Sequence, residues 1–225
     1  MVNLIDSHTN RLDTWLFKVC MVIARLGLAT LFFTQLWWKL PTTNFGCGPN
    51  FAFPVPAERN HWDANGSSGL CFWMGLESVF APQPRQVLVA DMRPAGLPKI
   101  GLTITPLAQI NGFLLDNVFI PQIRVFGWLV WMTEFWVFLS MLLGLFTRLG
   151  AVASLGISTQ LYVGLANIPR PYEFEWTYGL MIVLSIAMLG AAAGRILGLD
   201  ARLRPKLAPR AEGGNRLAKF GLFIT

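Results

Sequence analysis

Residues 124–146 form a predominantly apolar run, RVFGWLVWMTEFWVFLSMLLGLF. A helix needs about 20 predominantly apolar residues to cross the hydrocarbon core of a bilayer, and this stretch meets that length. Three other segments have the same character and cover residues 14–38, 149–168 and 176–194. The sequence therefore predicts an all-α membrane protein. We expect a bundle of four transmembrane helices with a large extracytoplasmic loop domain between helices 1 and 2.

The composition also indicates that lipid is the solvent. Charged residues make up 13% of the 225 residues, whereas a soluble globular domain has about 25%. Mean hydropathy is +0.50. The net charge of +6 is not accompanied by any motif for binding RNA or DNA. We therefore expect the basic residues to face lipids, and we expect no nucleic-acid partner.

The lysines and arginines set the predicted orientation. Four spans place both termini on one side of the membrane, and that side carries a set of basic residues: Arg11, Lys18, Arg148, Arg195, Arg202, Arg204, Lys206, Arg210, Arg216 and Lys219. Basic residues accumulate on the cytoplasmic side of membrane proteins. The sequence thus predicts a protein of the bacterial cytoplasmic membrane with both termini in the cytoplasm. The predicted parts are the N-terminus with the first span (1–40), a periplasmic loop (41–123), the other three spans (124–194) and a basic cytoplasmic tail (195–225).

The predicted loop is long and rich in Gly and Pro, but apolar residues recur throughout it. We expect a small folded cap, because connections of this length without structure are uncommon in compact proteins. An amphipathic helix is predicted near residues 106–119, with Thr105 as its N-cap and Pro106 as its first residue. The segment RQVLVADM, residues 85–92, is either a short strand or an extended piece.

The three cysteines and two histidines offer little redox chemistry. Cys20 lies in the first span, while Cys47 and Cys71 lie in the loop, where an oxidising compartment permits a disulfide. The sequence leaves open whether those two are paired. His8 and His61 both lie outside the spans, so we expect no haem within the bilayer. We expect no metal site and no covalently bound cofactor.

Two charges lie near the middle of predicted spans: Arg25 in the first and Glu134 in the second. An isolated charge at that depth is costly, and opposite charges on neighbouring helices compensate one another. We therefore expect an ion pair between Arg25 and Glu134. Two interpretations stay open, a fixed internal staple or the polar floor of a ligand pocket that handles protons. Polar groups able to line such a pocket are Gln35, Gln160 and Tyr162.

Three segments carry a resemblance to a known family: ARLGLATLFFTQLWWKL (24–40), TEFWVFLSMLLGLFTRLGA (133–151) and YGLMIVLSIAMLGAAAGRILGLDARL (178–203). Together they resemble the DoxX/DoxD family of small four-helix membrane proteins. The positions that match its signature are Arg25, Lys39, Leu40, Glu134, Gly144, Thr147, Arg148, Gly194, Arg195 and Asp200. The chain departs from the pattern at Ala192 and Gly198, where Gly and Ser are usual, and in the length of its loop. Asp200 is expected to reach Arg195 or Arg148.

The resemblance implies a role beside redox enzymes. Some relatives form the membrane subunit of thiosulfate:quinone oxidoreductase, in which a periplasmic redox partner delivers electrons to membrane quinone. Three hypotheses follow, since the sequence contains no recognisable catalytic set. The chain is an accessory or anchor subunit of a larger respiratory or photosynthetic electron-transfer complex, docked on other membrane subunits. Alternatively it is a quinone-binding subunit of an oxidoreductase. The third hypothesis is a small-solute carrier.

Overall fold

A computed structural model describes residues 11–37, 39, 69–168 and 174–225. These residues are mostly helical, with one β-hairpin. The helices are α1 (Arg11–Leu36), α2 (Leu70–Phe80), α3 (Thr105–Leu114), α4 (Ile123–Leu143), α5 (Thr147–Leu165), α6 (Glu175–Ala191), α7 (Leu199–Glu212) and α8 (Arg216–Ile224). The strands are β1 (Gln86–Asp91) and β2 (Lys99–Thr103), which pair antiparallel.

Two helices of the described residues are long and apolar enough to cross a membrane. They are residues Asp13–Leu36 of α1 and the whole of α4, Ile123–Leu143. The other two predicted spans coincide with α5 and α6, which are helical but less suited by composition or length to crossing a membrane. Helix α5 has 19 residues that include several polar side chains, and α6 has only 17. The four-span topology therefore stays a prediction.

The chain divides into two compact units, and the first comprises Met1–Thr34, Phe135–Ser154 and Val183–Thr225. Its interior is apolar, with fully buried side chains from four helices: Leu28, Phe32, Val137, Met141, Ala151 and Met188. Within this interior the hydroxyls of Ser154 and Ser185 form a hydrogen bond of 2.7 Å between α5 and α6. This hydrogen bond offsets the free-energy cost of burying the two hydroxyl groups.

The second unit comprises Gln35–Glu134 and Leu155–Ile182. Helix α2 lies at its centre, with Phe72, Leu76 and Phe80 at most 2% exposed. Helix α3 packs closely on the end of α2, because Gly112 presents no side chain there. A Cβ at position 112 would overlap the Cβ of Ala81.

Helix α3 overlaps the segment near residues 106–119 for which a helix was predicted, with two differences. It runs over Thr105–Leu114 and continues as a wider π-helical turn over Leu115–Phe119. The N-cap residue is Ile104, not Thr105. The hydroxyl of Thr105 is occupied elsewhere, since it accepts a hydrogen bond of 2.8 Å from the backbone N–H of Arg85.

The hairpin of β1 and β2 resolves the alternative left open for residues 85–92 in favour of a strand. A bulge interrupts its pairing between Val87 and Ala90. Val87 is buried against Ile104 and Ala166. Four other large apolar residues of the hairpin, Leu88, Leu97, Ile100 and Leu102, are more than half exposed.

The cysteines differ in their state. Cys71, the second residue of α2, is disulfide-bonded. Cys47, for which pairing with Cys71 was left open, lies outside the described residues. Cys20 is free and exposed on α1.

Candidate functional site

A buried carboxylate, Glu77, lies in the second unit and is held by two amides. It is the only charged residue of α2 and is 2% exposed. Asn111 of α3 donates to its Oε2 at 2.7 Å, and Gln160 of α5 donates to the same oxygen at 2.6 Å. Three helices thus converge on one carboxyl group. We call Glu77, Asn111 and Gln160 the Glu77 cluster.

The Glu77 cluster depends on the absence of a side chain at Gly164 of α5. A Cβ at this position would overlap the carboxyl group of Glu77. The carboxyl therefore lies directly against the backbone of the last turn of α5. It could not move aside without losing its hydrogen bonds to Asn111 and Gln160.

Burial sets the acidity of Glu77. Loss of hydration disfavours the ionised form and raises its pKa from 4.5 to about 7. The hydrogen bond from Asn111, the charge of Arg85, the hydrogen bond from Gln160 and the charge of Lys39 act in the opposite direction. Near neutral pH both protonation states are therefore populated. A carboxyl group in this condition takes up and releases a proton with little driving force.

A buried ion pair lies beside the Glu77 cluster. The ammonium of Lys39 donates to Oε1 of Glu134, and both side chains are at most 5% exposed. Lys39 also acts electrostatically on Glu77, so one cation faces two carboxyl groups. The second oxygen of Glu134, Oε2, is buried and accepts no hydrogen bond from the described residues. This orphaned acceptor could receive a hydrogen bond from a ligand.

Arg85 adds a second buried cation to the same unit and is 4% exposed. Its Nη1 donates to the carbonyl oxygens of Val163 at 3.0 Å and Gly164 at 2.6 Å. Those carbonyls belong to the last turn of α5, where the helix dipole favours positive charge. Burial lowers the pKa of Arg85, and the charge of Glu77 acts against that shift. Its Nε and Nη2 are buried without a partner among the described residues.

The first unit contains a separate polar cluster around Asp200 of α7. Its carboxylate accepts hydrogen bonds from the backbone N–H groups of Phe146, at 2.7 Å, and Thr147, at 3.0 Å. It also accepts one from the Thr147 hydroxyl at 2.8 Å. That hydroxyl in turn accepts from the N–H of Gly194 at 3.1 Å. Asp200 therefore caps the start of α5 and ties it to the turn after α6.

Arg25 belongs to this part of the molecule. From α1 it donates to the carbonyl oxygens of Ala193, Ile196 and Leu197, at 3.1 to 3.4 Å. Gly198 leaves room for the guanidinium, because a Cβ there would lie 2.8 Å from Nη1 of Arg25. The guanidinium thus satisfies carbonyls that the irregular turn after α6 would otherwise leave unpaired.

These contacts replace the ion pair expected between Arg25 and Glu134. Glu134 pairs with Lys39, whereas Arg25 serves backbone carbonyls. Asp200 likewise binds backbone and hydroxyl donors of the α5 start in place of the arginines expected for it. Position along a helix predicts depth in a membrane, but it does not predict which neighbour a side chain faces.

The other signature arginines contact the C-terminal end of α8. Arg148 donates to the carbonyl of Phe223 at 3.2 Å, and Arg195 donates to the carbonyl of Thr225 at 2.9 Å. Together with Gly144, whose carbonyl accepts from the N–H of Asp200 at 2.8 Å, they fasten the ends of helices. These signature residues therefore hydrogen-bond to backbone groups at helix ends in the first unit.

The residues suggested for pocket lining have different positions. Gln160 joins the Glu77 cluster, whereas Tyr162 packs against the buried group of Val87, Ile104 and Ala166. Gln35 is half-buried in the last turn of α1.

Sequence reasoning missed Glu77, Arg85 and Asn111. One signal was available for the first of them. Glu77 is the single charge in the apolar run LCFWMGLESVF, where an exposed helix would carry several. Arg85 and Asn111 have no comparable signal, because their burial depends on how the loop packs against α5.

Comparison with known proteins gives one match. A family model described as TQO small subunit DoxD matches residues 72–216. No curated protein and no solved structure matches the chain. The matched residues include the Glu77 cluster, Arg85 and Glu134, together with Asp200 and its partners.

Replacing Asp200 by Asn should destabilise the first unit. An amide offers one acceptor oxygen to three donors, and its NH₂ group would face backbone N–H groups. We expect a loss of about 2 kcal/mol in the free energy of unfolding. Asp91→Asn is the matched control, because that exposed pair with Arg93 contributes little. Equal unfolding curves for the two variants in detergent would contradict this role of Asp200.

Replacing Gly164 by Ala should disrupt the Glu77 cluster. The added methyl group overlaps a carboxyl that two hydrogen bonds hold in place, so we expect a cost of about 1–3 kcal/mol. Gly156→Ala on the same helix is the control, because nothing lies within 4 Å of its added Cβ. Thermal unfolding of the purified protein measures both. A Gly164→Ala variant as stable as Gly156→Ala would contradict the packing described.

The raised pKa of Glu77 should make stability depend on pH. The folded state holds the proton more tightly than the unfolded state, so this contribution is complete below pH 4.5 and is lost as the pH rises through about 7. The loss is on the order of 3 kcal/mol. Unfolding measured across this range should show the slope in the wild type and in Glu212→Gln, an exposed control, but not in Glu77→Gln. An unchanged slope in Glu77→Gln would exclude Glu77 as its source.

Proposed function

Because the chain belongs to the DoxD family, we propose that it is the membrane subunit of a quinone-linked oxidoreductase, in which the buried charges around Glu77 bind a quinone head group and exchange its protons. The observation that carries the proposal is a buried carboxyl group with a pKa of about 7 beside unpartnered buried polar atoms. The name of the matched family, TQO small subunit DoxD, favours a thiosulfate:quinone oxidoreductase of several subunits.

The proposed setting is the bacterial cytoplasmic membrane. Family membership and the apolar helices α1 and α4 indicate a membrane protein. We propose that α5 and α6 also span, giving four spans with both termini in the cytoplasm. The distribution of lysine and arginine supports this orientation. The hairpin and helices α2 and α3 would then lie on the periplasmic side, where a redox partner protein has access.

The residues of the second unit fit a quinone head group. A quinone offers carbonyl acceptors, which Nε and Nη2 of Arg85 can bind, and a quinol offers a hydroxyl donor, which Oε2 of Glu134 can accept. These three buried atoms have no partner among the described residues, and a buried polar atom without a partner costs free energy. A ligand that pairs with them regains that free energy.

Reduction of a quinone to a quinol consumes two electrons and two protons, and the electrons must come from another subunit. The chain's contribution is proton handling. The pKa of Glu77 lies near neutral pH, so its carboxyl group can hold or release a proton there. The positive charges of Lys39 and Arg85 lower the free-energy cost of its ionised form. Asn111 and Gln160 both donate to Oε2, so the other carboxyl oxygen, Oε1, is the atom that would carry the proton.

Glu77→Gln tests the proposal, since the amide keeps the shape of the side chain and its acceptor oxygen but cannot exchange a proton. Removing a general acid or base typically costs about 100-fold or more in rate. We expect quinone reduction by the assembled complex to fall by that factor and its pH dependence near 7 to disappear. The matched control, Glu212→Gln, should retain both. Turnover in Glu77→Gln at the wild-type rate, with the same pH profile, would contradict the proposal.

The exposed hairpin favours a second candidate function. Leu88, Leu97, Ile100 and Leu102 form an apolar surface of the kind that marks contact sites. An accessory subunit that docks on a larger electron-transfer complex would use such a surface without binding quinone. Mass spectrometry of gently solubilised native complexes distinguishes the two functions. Stoichiometric quinone that is lost in Arg85→Gln supports the first, and a large assembly with no quinone bound to this chain supports the second.

A further inference from the structure

Helices α7 and α8 form a hairpin whose surface carries both charged and apolar side chains. Helices α7 and α8 pack on each other, with the side chain of Leu207 3.1 Å from the Cβ position of Gly221. Along one face of α8 lie Leu217, Phe220 and Phe223, which are 82%, 58% and 67% exposed. Their spacing of three residues aligns them on the helix surface. We call these three residues the α8 ridge.

Basic side chains surround the α8 ridge. Five of them on α7 and α8 are exposed: Arg202, Lys206, Arg210, Arg216 and Lys219. The exposed acidic residue among them is Glu212, since Asp200 is buried in its hydrogen bonds. Lysine and arginine beside exposed Phe and Leu are typical of helices that lie in a membrane interface.

The α8 ridge is held in a fixed orientation. Asn215 caps the start of α8, accepting from the N–H of Ala218 at 3.1 Å. At the other end three arginines bind its last carbonyls. Arg204 donates to Leu222 at 3.0 Å, while Arg148 and Arg195 donate to Phe223 and Thr225. A surface ordered in advance loses little conformational entropy when it binds.

We propose that the α7–α8 hairpin binds the anionic phospholipids of the leaflet at which α6 ends, with the α8 ridge among the acyl chains and the exposed lysines and arginines on the headgroups. Two observations favour lipid over a protein partner. The hairpin begins at Leu199, a few residues after α6 ends at Ala191, so it leaves the apolar segment at the level of the headgroups. Its charge is complementary to anionic lipid, each basic residue being attracted to such a surface.

This surface is independent of the proposed quinone chemistry. It lies in the first unit, and the residues that match the DoxD family model end at Arg216, where α8 begins. If the quinone proposal fails, the lipid-binding proposal still stands. If the lipid-binding proposal fails, the quinone proposal is unaffected.

Hydrogen–deuterium exchange of the full chain in nanodiscs tests the proposal. One set of nanodiscs contains phosphatidylcholine alone, and the other contains phosphatidylcholine with phosphatidylglycerol, at one protein copy per disc. We expect the amides of residues 216–224 to exchange about tenfold more slowly in the anionic discs. High salt should reduce the difference, because it screens the charges.

Two variants identify the responsible side chains. Arg216→Gln with Lys219→Gln neutralises two of the five exposed basic residues and should reduce the lipid dependence. Phe220→Ser with Phe223→Ser should remove the protection in both lipids. Lys99→Gln, an exposed basic residue on β2, is the control and should behave as wild type. Equal exchange in the two lipid compositions would overturn the proposal. So would protection that appears only when two copies occupy one disc, since the ridge would then bind a second copy of the chain.

Discussion

The carboxylate of Asp200 joins parts of the chain that are far apart in sequence. It accepts hydrogen bonds from Phe146 and Thr147 at the start of α5, and its own N–H binds Gly144. Through Thr147 it also reaches Gly194 after α6. A carboxylate at a helix start satisfies N–H groups that the helix itself leaves unpaired, and it complements the helix dipole. The placement of the start of α5 within the first unit therefore depends on this one group.

Asp200 and Glu77, two of the acidic residues buried in the described part of the chain, differ in their surroundings. Asp200 faces backbone N–H groups and a hydroxyl, whose hydrogen bonds occupy its oxygens. Glu77 faces two side-chain amides in an apolar setting, so burial dominates and its pKa approaches 7. A group whose oxygens are saturated by fixed donors serves structure. A group balanced between its two protonation states can serve chemistry.

The sequence predicted the helices better than it predicted the site. Long apolar runs placed α1 and α4 correctly, since length and hydropathy are local properties. Helix α3 overlaps the segment predicted to be helical, and strand β1 is one of the two alternatives that the sequence left open for its segment. The contacts of Arg25 and Glu134 were not anticipated, because a periodic pattern gives no information on which helices are neighbours. Glu77 and Arg85 were missed because they lie in a loop whose packing against α5 is a tertiary property.

The disulfide at Cys71 has a consequence for biogenesis. Glu77 lies six residues after Cys71, on the same short helix. Helix α2 has 11 residues, a length that is marginal on its own, so the covalent bond at its start restricts where it can form. In the orientation proposed above the loop is periplasmic, an oxidising compartment in which this bond can form. A newly made chain in that orientation would reach the membrane before this bond restricts α2, the helix that carries Glu77.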